Sequence, residues 1–157
     1  MAIHLAPVTA DNLDAVLAVS PEPGVPAHVA PVVRSLAEAY VHPTAWPRAI
    51  VDGDEVVGFV MMGFDPDNEI PVFRGGIWRL NVDDGHQGKG YGRFAVEQVA
   101  AEARGRGYER ISVLWVPAPD GPEGFYLRVG FVPTGETLFG QRVGVLDLGG
   151  PAAPAAP

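Results

Sequence analysis

Gln87-Gly88-Lys89-Gly90-Tyr91-Gly92 is the stretch on which the reading of this chain turns. A largely apolar extended segment, Val72 to Val82, runs into it, and a helical pattern from Arg93 to about Arg104 runs out of it. A glycine-rich turn between strand and helix gathers backbone N–H groups at the positive end of the helix dipole. That makes an anion cradle, and phosphate is the commonest anion to fill one. Glycine lets the backbone approach such a ligand without a Cβ in the way. Two well-known phosphate loops do not fit. A Walker A loop needs Ser or Thr after Gly-Lys, and Gly90 follows Lys89. A dinucleotide fingerprint begun at Gly88 and Gly90 needs a glycine where Arg93 stands. The pattern that does fit is Gln/Arg-x-x-Gly-x-Gly/Ala. Six residues alone would also suit an ordinary glycine-rich connection, so the flanks decide.

Downstream, Val96, Val99, Ala100 and Ala103 give the helix one apolar stripe, and Gly105 and Gly107 suit its exit. Ile111 to Val116 reads as a strand. Asp120 with Glu123 three residues on resembles a capping box, opening a short helix from about Pro122 to Val129 that ends at Gly130. Phe131-Val132 and Val143 to Leu148 read as late strands joined through Thr134 to Gln141. Upstream, Ile3 to Val8 reads as a first strand. Thr9 suits an N-cap for a helix with Leu13, Val16 and Leu17 on its apolar face, stopped by Pro21-Glu22-Pro23-Gly24-Val25-Pro26. Pro31 can open a second helix, with Val33, Leu36, Ala37 and Tyr40 as its stripe, and His42-Pro43 ends it. Trp46 to Val51 is a strand, Asp52-Gly53-Asp54 a hairpin turn, and Val56 to Phe64 a strand buried on both faces. Asp65 to Glu69 is a polar loop. Gly75-Gly76 inside Val72 to Val82 suggests a bend or bulge. The order is βααβββαβαββ: one mixed α/β domain over residues 1–148, then a Pro/Ala-rich tail over 149–157 expected to be disordered.

Composition narrows the function. The length of 157 residues suits one domain, and 47% hydrophobic residues suit a globular core. A net charge of −8 argues against a nucleic-acid footprint and favours cationic substrates at long range, although it also suits a merely soluble acidic surface. The absence of cysteine excludes disulfides and a thiol nucleophile. The start, Met1-Ala2-Ile3-His4-Leu5, has neither the basic nor the apolar region of a signal peptide, and no apolar run approaches a membrane span. A cytoplasmic protein without membrane or nucleic-acid partners is expected. The four histidines show no metal-ligand spacing.

Three separated stretches, Ile77-Trp78-Arg79-Leu80-Asn81-Val82, Gln87 to Gly92, and Phe125-Tyr126-Leu127-Arg128-Val129-Gly130-Phe131, resemble the GNAT superfamily of N-acetyltransferases in motif and spacing. The element order is the same, and the resemblance covers roughly Ile3 to Leu148. It is most like bacterial diamine (spermine/spermidine-type) acetyltransferases, with Gly58-Phe59-Val60-Met61 and Pro133-Thr134-Gly135-Glu136 in agreement. Pro119 and Asp120-Gly121-Pro122-Glu123 before the tyrosine, and Gly140-Gln141 before the last strand, depart from those relatives. Another amine, such as an amine-bearing antibiotic, therefore stays open, as does a non-catalytic CoA- or amine-binding module.

The resemblance implies a sheet splayed between the fourth and fifth strands, with acetyl-CoA as cosubstrate and no metal. The pantetheine arm would pair with backbone of Leu80, Asn81 and Val82, as an added strand does. The Leu80 N–H would stabilise the oxyanion. Gln87, Gly88, Lys89, Gly90, Tyr91, Gly92 and Arg93 would hold the pyrophosphate, with Tyr91 open to a packing role instead. Tyr126 would protonate the leaving thiolate, a feasible transfer from a phenol (pKa about 10) to a thiol (about 8.5). The alternative is a core aromatic, like its neighbour Phe125. The general base is not legible. Gly76 or Trp78 stands where some relatives carry a glutamate, which leaves water, Glu69 or Glu136. Trp46, Trp78 and Trp115 could line an acceptor pocket or be core, and Trp78 and Glu136 are the acceptor-site candidates. His86 is expected in solvent. The implied acceptor is a small-molecule amine, and the resemblance leaves room for a homodimer.

Overall fold

The computed structural model describes residues 2–20 and 31–149. The proline-rich stop at residues 21–26 and the tail beyond Gly149 lie outside the described residues. The elements are β1 (Ile3–Ala6), α1 (Leu13–Leu17), α2 (Val32–Val41), β2 (Ala45–Asp52), β3 (Glu55–Phe64), β4 (Gly75–Val82), α3 (Tyr91–Gly105), β5 (Arg110–Trp115), α4 (Glu123–Arg128), β6 (Val132–Leu138) and β7 (Gln141–Asp147). This is the expected order. The seven strands form one sheet in the order β1-β2-β3-β4-β5-β7-β6. All neighbours are antiparallel except β4 and β5, which are parallel.

β3 is the centre of the sheet because its residues are apolar on both faces: Val57 through Phe64 are all buried. Gly53, at φ 63, turns the chain from β2 into β3. One face of the sheet is covered by α3, whose Ala95, Val96, Val99, Ala100 and Ala103 join Val57, Val60, Met62, Ile111, Val113, Trp115, Tyr126 and Phe131 in the larger core. The other face is covered by α1 and α2, where Val16, Val19 and Val32 meet Ala49, Val51, Phe59 and Met61. Each large apolar side chain so buried contributes about 1.5–3 kcal/mol. No helix among the described residues is long and apolar enough to cross a membrane.

Several local expectations are corrected. Thr9 does not cap α1. The Asn12 side chain accepts from the Thr9 N–H at 2.8 Å and donates to the Pro7 carbonyl at 3.0 Å, so residues 9–12 form a turn and the helix starts later. Leu13 and Leu17 stay 38% and 40% exposed, and only Val16 of that face is buried. In α2 the chain offers two stripes one residue apart. The buried one is Val32, Ser35, Leu36 and Ala39, whereas Val33 and Tyr40 face solvent. The stretch before β4 is not all strand. Pro71 opens a 3-10 turn, Pro71–Phe73, and β4 begins only at Gly75. The capping box before α4 does not form: Pro122 is the N-cap with no side-chain cap bond. The Glu123 carboxylate instead accepts from Trp115 Nε1 at 3.0 Å and from Arg142 at 2.5 Å, which holds its pKa below the usual value, chiefly through Arg142.

Candidate active site

β4 and β5 pair only through Gly76 with Ser112 and Ile77 with Val113. Ser112 fills the space above Gly76, and its hydroxyl donates to the Val72 carbonyl, fixing the 3-10 turn to this closed end. Beyond it the strands part. The register of β4 on β3 shifts between Met61, opposite Arg79, and Met62, opposite Ile77. Trp78 is therefore the extra residue of a bulge, which sharpens the twist of β4 away from β5. β5 meanwhile stays with β7, and Trp115 packs so closely over Gly144 that a Cβ there would lie 2.4 Å from its ring. The expected bend belongs to Trp78, and the two glycines mark the point of closest approach.

Backbone direction in the gap follows from one bond. The Asp83 N–H donates to the Val57 carbonyl at 2.8 Å, toward β3. Backbone groups alternate sides along a strand. The Asn81 N–H therefore also faces β3, whereas the Leu80 and Val82 groups face the opening. Gln87 Nε2 donates to the Val82 carbonyl at 3.2 Å from that side. Of Leu80, Asn81 and Val82, the first and last thus turn their backbone to the opening, with the Val82 carbonyl already taken by Gln87, and Asn81 does not.

The turn that follows has the shape of an anion cradle. Gly88 and Gly90 sit at φ 77 and 87, a region that disfavours side chains, and Gly90 is the N-cap of α3. Among the described residues, no backbone hydrogen bond outside the helices and strands uses the N–H of any residue from Gly88 to Arg93. The first turn of a helix has no internal acceptors for them. Lys89 is exposed beside these donors. Tyr91 points the other way. It is buried, and its hydroxyl donates to Asp52 at 2.5 Å, a bond that raises its pKa. It anchors the helix to the β2–β3 hairpin. The Arg93 guanidinium is turned onto the Arg128 carbonyl at 3.3 Å, at the end of α4, so only its backbone faces the cradle. His86 is not in solvent as expected. Its side chain is 17% exposed, held between Glu55 at 3.0 Å and Asp83 at 3.3 Å.

Tyr126 lies in the α3-side core, 5% exposed. Its ring stacks on Trp115 at 5.7 Å and meets Phe125 and Phe131 edge-on at 5.3 and 5.5 Å. Leu80 and Val82 pack against the same α3-side core that holds Tyr126. Burial pushes the phenol well above the ordinary tyrosine value, so it stays protonated.

On the opposite face the gap opens into a cleft of about 410 Å³. Trp78, His42, Arg79 and Glu38 line it from β4 and the α2 end, and Phe73 and Phe139 line it from two turns. Trp78 covers Gly63 so tightly that a Cβ would meet its ring at 2.2 Å, and it meets His42 edge-on at 6.2 Å. Glu38 accepts from Arg79 at 3.0 Å and from Arg34 at 3.2 Å. Of the expected acceptor residues, Trp78 is in the cleft, whereas Glu136 is exposed on β6 and does not line it. Glu69 does not line it either, Trp115 is core, and Trp46 packs against Phe64. Glu38, His42, Phe73 and Phe139 were not legible as site residues, because only the tertiary fold brings them together. Phe139-Gly140, an aromatic before a hairpin glycine, was the one local signal. No group of acidic or histidine side chains among the described residues could hold a metal.

The family model described as the acetyltransferase (GNAT) family matches residues 17–131. No curated protein matches the chain. Among solved structures, an acetyltransferase from Thermus thermophilus is similar at TM-score 0.71 and 24% identity, over 94% of this chain and 97% of that one. A GNAT family acetyltransferase from Elizabethkingia anophelis with acetyl-CoA bound gives 0.63 and 16%, over 92% and 97%. The paia N-acetyltransferase of Thermoplasma acidophilum in complex with coenzyme A gives 0.66 and 12%, over 94% and 99%. At these identities the structural likeness speaks for the fold.

Proposed function

Because the chain belongs to the GNAT acetyltransferase family, we propose that it transfers an acetyl group from acetyl-CoA to a primary amine by direct attack, with no acyl-enzyme. The observation that carries this reading is the β4–β5 opening with the Leu80 and Val82 backbone aimed into it, beside a cradle of unused N–H groups at Gly88 to Arg93. The cradle fits a pyrophosphate and the open edge fits an extended amide-bearing arm. Acetyl-CoA supplies the acetyl thioester. The Leu80 N–H donates to the carbonyl oxygen as charge grows on it. The new C–N bond forms as the C–S bond breaks, and the Tyr126 hydroxyl gives its proton to the departing sulfur. The amine enters from the α2 face, opposite Tyr126. It yields its proton to water or to the His42 imidazole, which lines the cleft.

The polyamine expectation draws on the net charge of −8 and on the resemblance to diamine acetyltransferases. The cleft lends it little support: Glu38 is the one carboxylate among its described lining residues, and two arginines already share it. An amine-bearing antibiotic fits the same chemistry. A cytoplasmic location remains an expectation of the sequence pattern, and a homodimer one of the resemblance.

The test is titration calorimetry with CoA, together with thiol release from acetyl-CoA over a panel of amines. The wild type should bind CoA and release thiol with at least one amine. Gly90→Val forces a branched side chain into φ 87 at the cradle and should weaken CoA binding at least tenfold while the circular dichroism stays folded. Equal affinity in a folded variant would sink the reading.

A further inference from the structure

The lip of the cleft carries a feature that neither the acetyl transfer nor the fold requires. β6 and β7 are joined by a two-residue hairpin, Phe139-Gly140, with Leu138 opposite Gln141. Both turn residues have positive φ, 52 and 73. A turn of this kind favours Asn-Gly or Gly-Gly. Phe139 is the only described residue other than glycine in that region, and it is 79% exposed. A bulky aromatic held in a disfavoured conformation without being buried needs another reason to be there. Its ring stacks on Phe73, from the 3-10 turn before β4, with centroids 6.1 Å apart and planes 17° from parallel. The pair lines the same cleft as the edge-on rings of His42 and Trp78. The lining is therefore rich in aromatic rings.

Its charge is equally telling. Arg34 and Arg79 share the Glu38 carboxylate, the one carboxylate among the described lining residues. A second ammonium on the acceptor would find no unpaired carboxylate among the described lining residues and would face Arg79 instead. A flat apolar group would find rings to pack on.

We infer that Phe73 and Phe139 are specificity-determining residues, and that the acceptor is an arylalkylamine: a primary amine with a planar ring a short alkyl spacer away. This rests on the acetyl-transfer reading of the same site. The ring would lie against the Phe73–Phe139 pair while the amine points down the cleft toward the gap at Leu80.

The experiment compares 2-phenylethylamine, n-butylamine and 1,4-diaminobutane with acetyl-CoA, for wild type, Phe139→Asn and Phe73→Leu. The wild type should favour 2-phenylethylamine by about tenfold or more in kcat/KM over each of the others, the scale of one well-packed ring. Phe139→Asn should collapse that ratio toward one, mainly through KM, while its thermal midpoint rises because Asn-Gly suits the turn. A packing role alone predicts a lower midpoint and an unchanged ratio. Phe73→Leu keeps an apolar side chain and should lower the ratio less. Preference for 1,4-diaminobutane, or a ratio unmoved by Phe139→Asn, overturns the proposal. Absence of acetylation for every amine, with no CoA binding, overturns the acetyl-transfer reading beneath it, whereas acetylation without ring preference overturns this inference alone.

Discussion

Replacing Tyr126 by phenylalanine isolates one oxygen. The ring would keep its stacking on Trp115 and its edges on Phe125 and Phe131. A 5%-exposed side chain loses almost no packing in the exchange. Any change in turnover therefore reports the hydroxyl. Burial raises the phenol above the ordinary value, so in the wild type it carries its proton through the whole neutral range and serves as an acid. Loss of general-acid help should lower kcat by ~10²–10⁴-fold, or about 3–5 kcal/mol of barrier, with CoA affinity from calorimetry unchanged. Stopped-flow thiol detection measures the first and titration the second. The direction of the pKa shift adds a thermodynamic signature. A group raised on folding contributes stability that is full below its unfolded value, near ~10, and is lost as pH climbs through the folded value. Wild type should thus lose stability above pH ~10 by a route that Tyr126→Phe lacks. A kcat within about threefold of wild type at neutral pH would refute the acid role and leave Tyr126 as a core aromatic.

Two further substitutions probe how the site is held. Gly63→Ala places a Cβ 2.2 Å from the Trp78 ring, far inside a normal contact of about 3.5–4 Å, and overpacking of that kind costs about 1–3 kcal/mol. Calorimetry should show a midpoint lower by roughly 2–4 °C per kcal/mol, with recovery in Gly63→Ala/Trp78→Leu; a single variant as stable as wild type would mean the ring is free to move. Tyr91→Phe removes the tie between α3 and Asp52, so it should lower the thermal midpoint and weaken CoA binding together. Lower stability with unaltered CoA affinity would show that the cradle does not depend on that anchor.

The sequence carried the architecture where one segment alone decides the outcome. Val56 to Phe64 is apolar on both faces and could only be central. Val96, Val99, Ala100 and Ala103 leave α3 a single face to bury. Where two solutions compete locally, the fold chose. Val33-Leu36-Ala37-Tyr40 and Val32-Ser35-Leu36-Ala39 are both helical stripes, and packing on Phe59 and Met61 selected the second. The cradle was legible because its glycines are contiguous. The bulge at Trp78 was not, since a bulge is a relation between strands and is invisible in either alone. The acceptor cleft was the least legible. Glu38 and Arg79 meet across 41 residues of chain, and Phe73 and Phe139 come from two turns 66 positions apart in the sequence. Charge is coarse for the same reason: a count of −8 averages over a surface and says nothing of one corner where two arginines share a single carboxylate.

The brief parallel contact between β4 and β5 also bears on how this molecule assembles. Strands β2, β3 and β4, and strands β6 and β7, are joined by antiparallel ladders of sequence neighbours, which close early and cheaply in a folding chain. The seam at Gly76–Ser112 and Ile77–Val113 must wait until α3 has formed and brought its two ends back to the sheet. A junction of two residue pairs is also the weakest line of the finished sheet. Amide hydrogens there should exchange sooner than those of the β2–β3 ladder, and a ligand lodged along β4 would slow them by bridging halves that the polypeptide itself barely sews together.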